Sequence, residues 1–93
     1  MKLINPDFKE KVEEILKRYP YVEVHIQQIQ HEDQNPSYLI NVYDKETHET
    51  GKCGYLGRSK VHAVVDKESI IEWRKFFQSR SNVDLFEFQV NLF

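Results

Sequence analysis

The stretch VDLFEFQVNLF, at residues 83–93 of this 93-residue chain, is the clearest strand in the sequence. From Phe86 onward apolar and polar residues alternate, which is the two-residue repeat of a β-strand. One face of this strand is therefore predicted to carry a row of apolar side chains, namely Phe86, Phe88, Val90 and Leu92.

A helix is predicted directly before this strand, and another near the beginning of the chain. Asp66 is a suitable N-cap for a helix from Lys67 to about Ser79. Its apolar residues cover about 220° of the helical wheel, which indicates burial on most sides or a second apolar surface that meets a partner. Asn5 can cap the first helix, and Pro20 ends it.

Three further strands are predicted between the helices, at residues 21–30, 37–44 and 61–65. In the first of these strands the apolar parity changes at Ile29, and a β-bulge near Gln27–Gln28 would explain the change. By composition, residues 31–36 are predicted to form a turn and residues 44–52 a hairpin connection.

The predicted order of elements, α-β-β-β-α-β, leads to a fold class. Hairpin-length connections between the first strands favour antiparallel pairing. Both helices can then cover one face of the sheet. We therefore predict a single α+β domain over residues 1–93, a two-layer sandwich in which two helices pack on a mostly antiparallel four-stranded sheet. The composition, 40% hydrophobic and 30% charged, is that of an ordinary globular domain.

Cysteine and histidine usage argues against several classes of protein. Cys53 is the only cysteine, so an internal disulfide is impossible and a reducing compartment is favoured. None of the four histidines has zinc-ligand spacing, and we predict neither a metal nor a cofactor. The chain has no apolar run of about 18 residues and no leader signature, and we predict a cytoplasmic protein without a membrane partner.

All three glycines of the chain fall within residues 51–57, and the charge changes sign there. Residues 1–50 carry a formal charge of −4, residues 51–80 carry +4, and the whole chain carries −2. Glycines and nearby cations can cradle an anion, which makes a phosphate site conceivable at Lys52, Tyr55, Arg58 and Lys60, aided by Arg74 and Lys75. The spacing fits neither a P-loop nor a dinucleotide fingerprint. The alternative is a glycine-rich hairpin whose charges protect a sheet edge.

The aromatic residues, at 13% of the chain, are the strongest interaction signal. Several lie on strand faces opposite the predicted core, and tyrosine and tryptophan are common at protein interfaces. The predicted interface residues are Tyr21, Leu39, Tyr43, Trp73 and Phe76. The alternative is a sheet covered on both sides, or scattered exposed side chains.

These observations favour a small non-catalytic interaction protein, such as a regulator or inhibitor. It would bind a protein partner, or itself as a homodimer, through an aromatic sheet face, a helix or an edge strand. The alternative function is binding of a nucleotide or nucleic-acid phosphate through residues 51–62. No catalytic residue is predicted, because Cys53 and nearby His48 lack an assignable third partner and any family signature.

Overall fold

The computed structural model describes residues 5–45 and 60–90, with only the backbone of residues 89 and 90. It confirms the predicted α+β class, with two helices and a mostly antiparallel four-stranded sheet. The elements in chain order are α1 (Pro6–Arg18), β1 (Val22–His31), β2 (Gln34–Asp44), β3 (Val61–Val65), α2 (Lys67–Gln78) and β4 (Val83–Val90). The glycine-rich segment lies outside the described residues.

Both helices begin at the side-chain caps that the sequence predicts. The Asn5 side-chain oxygen accepts hydrogen bonds from the backbone N–H groups of Asp7 and Phe8, at 2.9 and 3.2 Å. The Asp66 carboxylate accepts one from the N–H of Ser69 at 2.8 Å. These oxygens satisfy donors that have no partner inside the helix.

The strand order across the sheet is β3-β2-β1-β4. Neighbouring strands are antiparallel in the pairs β3–β2 and β2–β1, and parallel in the pair β1–β4. Because β3 and β4 therefore run in the same direction at opposite edges, their connection must cross the whole sheet. Helix α2 makes this crossover, as parallel strands require.

The β-bulge predicted near Gln27–Gln28 is wrong. The register between β1 and β2 is regular as far as the pair Ile29–Ser37, and it shifts only between Ile29 and His31. His31 pairs with Gln34, so the turn predicted at residues 31–36 is shorter than expected. Ile29 is apolar because its own face of the sheet is partly apolar, and no change of face is needed to explain it.

The hydrophobic core lies between one face of the sheet and the two helices. The sheet contributes alternate residues of its central strands, and each helix contributes its apolar stripe. The buried apolar residues are Phe8, Val12, Val22, Val24, Ile26, Tyr38, Ile40, Val42, Ile70, Trp73 and Phe77. They form one cluster, so both helices cover the same face of the sheet.

The apolar residues of α2 lie in three different environments. Ile70, Trp73 and Phe77 are completely or almost completely buried in the core. The Phe76 ring lies beside Trp73 and is half-buried, with the Arg80 guanidinium 4.5 Å from its centroid. Ile71 is 48% exposed, so one part of the apolar surface does face solvent.

Candidate functional site

The sheet face opposite the helices carries no second layer among residues 5–45 and 60–90, and we call it the open face. Side chains alternate between the two faces along each strand, so the residue pairs between strands assign its members. From one edge to the other they are His62 and Val64; Ser37, Leu39, Asn41 and Tyr43; Glu23, His25, Gln27 and Ile29; and Asp84, Phe86 and Phe88.

An aromatic cluster occupies the open face over β1, β2 and β4. The His25 ring lies at its centre, with ring centroids at 4.8 Å from Tyr43, 5.6 Å from Phe86 and 5.4 Å from Phe88. The two phenylalanines are 44% and 47% exposed. The two contacts with the phenylalanines are edge-to-face, an arrangement that aromatic pairs prefer. The cluster therefore presents two rings that are turned partly toward solvent.

Two carboxylates, those of Glu23 and Asp84, lie at one end of the open face. Glu23 is buried, and its carboxylate accepts a hydrogen bond from Nε2 of His25. Its neighbour on β4 is Asp84, which forms an ion pair with Lys45. Burial raises the pKa of the Tyr43 phenol, and the charge of Glu23, directly across the strand pair, raises it further.

Charge is thus confined to this end, where a cation or a histidine accompanies each carboxylate. The other described residues of the open face include no lysine, arginine, aspartate or glutamate, and the most exposed apolar ones are Val64, Phe86 and Phe88. Antiparallel sheets that face water usually carry polar side chains on the solvated face. An exposed apolar and aromatic patch on such a face is instead typical of a surface that meets another molecule.

The predicted interface residues occupy different places in the fold. Leu39 and Tyr43 lie on the open face and are half-buried. Tyr21 is 63% exposed just before β1. Trp73 is completely buried between α2 and the sheet, and Phe76 packs against it, so neither belongs to the open face.

Sequence reasoning did not select His25, Phe86 and Phe88 as site residues. The strong alternation in β4 indicates a strand, but it does not say which face of that strand meets the helices. One signal in the sequence could have placed the phenylalanines. Val83 and Leu85 are also apolar and lie on the opposite face of the strand from Phe86 and Phe88, and it is their face that packs against the core.

Of the predicted phosphate ligands, Lys60 alone lies within the described residues. Its backbone N–H donates to the carbonyl of Val42 at 2.7 Å, and its ammonium lies 5.5 Å from the centroid of the Tyr19 ring. It also lines a cleft of about 400 Å³ between α1 and β3. Lys11, His62 and Asp7 line the same cleft, so the lining includes a carboxylate as well as basic side chains.

The two helix cations predicted to assist phosphate binding already have partners. Arg74 lies 2.8 Å from a Glu87 carboxylate oxygen, and Lys75 lies 3.8 Å from Glu72. Both are therefore compensated on the helix side of the sheet. Phosphate binding through Lys52, Tyr55 and Arg58, which lie outside the described residues, stays a prediction.

Within the part of the chain that the structure describes, no three histidine, cysteine or acidic side chains are grouped as metal ligands would be. In the same part of the chain, neither helix has the length and apolar character needed to span a membrane. No protein-family model, curated protein or solved structure matches this chain. Function must therefore be inferred from the site itself.

Proposed function

We propose that this chain is a small non-catalytic binding protein that contacts a protein partner through the open face. The observation that carries the proposal is the aromatic cluster around His25. Its phenylalanines are nearly half exposed, on a sheet face that residues 5–45 and 60–90 leave without a second layer. Aromatic residues dominate the buried centres of protein interfaces, where large rings exclude water.

The pattern of charge supports a partner with an apolar, uncharged contact surface. Charged side chains are depleted at the centres of interfaces, and the charged members of the open face, Glu23 and Asp84, lie together at one end. Fully burying a phenylalanine is worth about 1.5–3 kcal/mol, so covering the exposed half of each ring would contribute about 1 kcal/mol. Val64, which is 63% exposed, adds to this gain.

The experiment compares partner capture by the wild-type protein and by a double variant, Leu39→Asp with Val64→Asp. Both changes place a charge on the open face, away from β4 and without altering the core. We expect captured proteins to be identified with the wild type and their binding to weaken at least tenfold with the variant, about 1.4 kcal/mol or more. The matched control is Ser81→Asp, an exposed position after α2.

Purified partner must then bind the wild type and the control with equal affinity in a titration. Equal binding by the open-face double variant would contradict the proposal. Circular dichroism of each variant shows whether it is folded before its binding is compared.

A further inference from the structure

Strand β4 lies at one edge of the sheet, and the hydrogen bonds show which of its backbone groups point outward. The N–H of Val22 donates to the carbonyl of Asn82 at 3.0 Å. In a parallel ladder successive residues turn their N–H and C=O groups alternately toward the two sides. The even-numbered residues of β4 therefore bond to β1, and the four odd-numbered residues, Val83, Leu85, Glu87 and Gln89, direct theirs outward. No other strand of residues 5–45 and 60–90 pairs with this edge.

Residues 83–90 contain few of the features that usually protect a strand edge. The strand pairs with β1 over eight residues without a register shift, and it contains no proline, glycine or lysine. Its two charges, Asp84 and Glu87, are paired with Lys45 and Arg74 of the same chain. A long, regular edge with few protecting residues is a template for pairing with another strand.

Exposed apolar side chains flank this edge on both sides of the sheet. Phe86 and Phe88 lie on the open face. On the helix side, Arg74 binds Glu87 of β4, and Ile71 lies one turn before Arg74 on the same flank of α2. Ile71 is 48% exposed. A chain added to β4 would cover apolar surface above and below the new strand pair.

We propose that the molecule on this edge is a second copy of the same chain, added antiparallel to form a continuous eight-stranded sheet about a two-fold axis. The outward residues of β4 are spaced symmetrically about Phe86. An axis beside Phe86 pairs residue 83 with 89 and residue 85 with 87, so all four are used. This register also places Glu87 opposite Leu85 of the second copy and keeps the two Glu87 carboxylates from facing each other.

The inference deepens the proposed function and rests on it, because Phe86 and Phe88 of both copies would form one aromatic surface across the two-fold axis. The open face itself stays uncovered in such a dimer. Self-association and partner binding are therefore separate measurements.

The test is sedimentation equilibrium of the purified chain over a wide concentration range. We expect a monomer–dimer equilibrium for the wild type. Glu87→Pro removes an outward N–H but leaves the ladder with β1 intact. The matched control, Glu87→Ala, loses the same ion pair and keeps the N–H. The two-fold axis places the substitution in both copies, so two hydrogen bonds between the copies are lost. Glu87→Pro should therefore weaken dimerisation at least about tenfold relative to Glu87→Ala.

A second variant keeps the test valid if Glu87→Pro fails to fold. Ile71→Glu changes only an exposed helix position and should also weaken the dimer, whereas Gln34→Glu at the exposed β1–β2 turn should not. A wild type that is monomeric at every concentration overturns the inference. So does a dimer that forms equally well in Glu87→Pro and Glu87→Ala.

The double variant Leu39→Asp with Val64→Asp separates the two proposals. Its substitutions lie on β2 and β3, away from the β4 edge, so it should lose partner capture and keep the dimer. A wild type without a dimer refutes the dimer alone, because capture by the open face is measured independently.

Discussion

Only part of the environment of Tyr43 could be predicted from the sequence. Strand alternation predicts that it lies opposite the core, as it does. The same alternation places Glu23 on the solvated side, yet Glu23 is only 7% exposed, because neighbouring groups on the open face, His25 among them, surround its carboxylate. A pattern of apolar and polar residues cannot predict this burial, since it depends on pairs that form only between strands.

Our first prediction concerns the titration of Tyr43. Its phenol should ionise above its ordinary pKa of 10.0, because burial and, second, the charge of Glu23 disfavour the phenolate. Glu23→Gln should lower the pKa of Tyr43 only part of the way, since burial is the larger cause. NMR titration of carbon-labelled tyrosines measures this. A pKa of Tyr43 at or below 10.0 would contradict the prediction.

The sign of the linked stability change follows from the same shift. Between the unfolded pKa near 10 and the raised folded pKa, the folded state binds more protons than the unfolded state, so stability falls as pH rises through that window. The contribution is fully retained below the unfolded pKa. Tyr43→Phe should remove this part of the alkaline loss of stability, as measured by urea unfolding at several pH values.

At the scale of elements, the helices and strands could largely be predicted, and so could the antiparallel pairing of the first three strands. The position of β4 in the sheet could not. The caps Asn5 and Asp66 and the apolar stripes of the helices are short-range features of the sequence. A local pattern can therefore predict them. The parallel pair of β1 with β4 depends on the crossover through α2, which no local pattern specifies. The clear alternation in β4 does not show which face of the strand meets the helices. Phe86 and Phe88 lie on the face away from them.

Our second prediction concerns the ion pair that links α2 to β4. Arg74 and Glu87 are 34% and 41% exposed in their side chains. Water screens such a pair, so its coupling energy should be below about 1 kcal/mol. A double-mutant cycle with Arg74→Ala and Glu87→Ala, followed by urea unfolding, measures it. A coupling of several kcal/mol would contradict this prediction.

At the scale of the whole molecule, most of the apolar residues that the structure describes fall into two groups. One group forms the core between the helices and the sheet, and the other lies on the open face. The two-layer architecture could be predicted from the order of elements. The identity of the exposed apolar residues could not, because it depends on which side of each strand the helices cover.

Our third prediction tests this division directly. Ile40 is completely buried on the helix side of β2, whereas Val64 on β3 is 63% exposed on the open face. Ile40→Ala should reduce the free energy of unfolding by about 2–5 kcal/mol, since it removes buried methyl groups and leaves a cavity. Val64→Ala should change it by less than about 0.5 kcal/mol. Comparable losses in both variants would show that the open face is packed like a core.

Amide hydrogen exchange along β4 is the most direct test of the central claim about self-association, that a second copy of this chain pairs with the β4 edge. The inward N–H groups of Phe86 and Phe88 should be protected at every protein concentration, because β1 accepts them. The outward N–H groups of Leu85, Glu87 and Gln89 should be protected at high concentration and exchange faster on dilution. Rapid exchange of these three amides at all concentrations, with no change on dilution, would contradict the account.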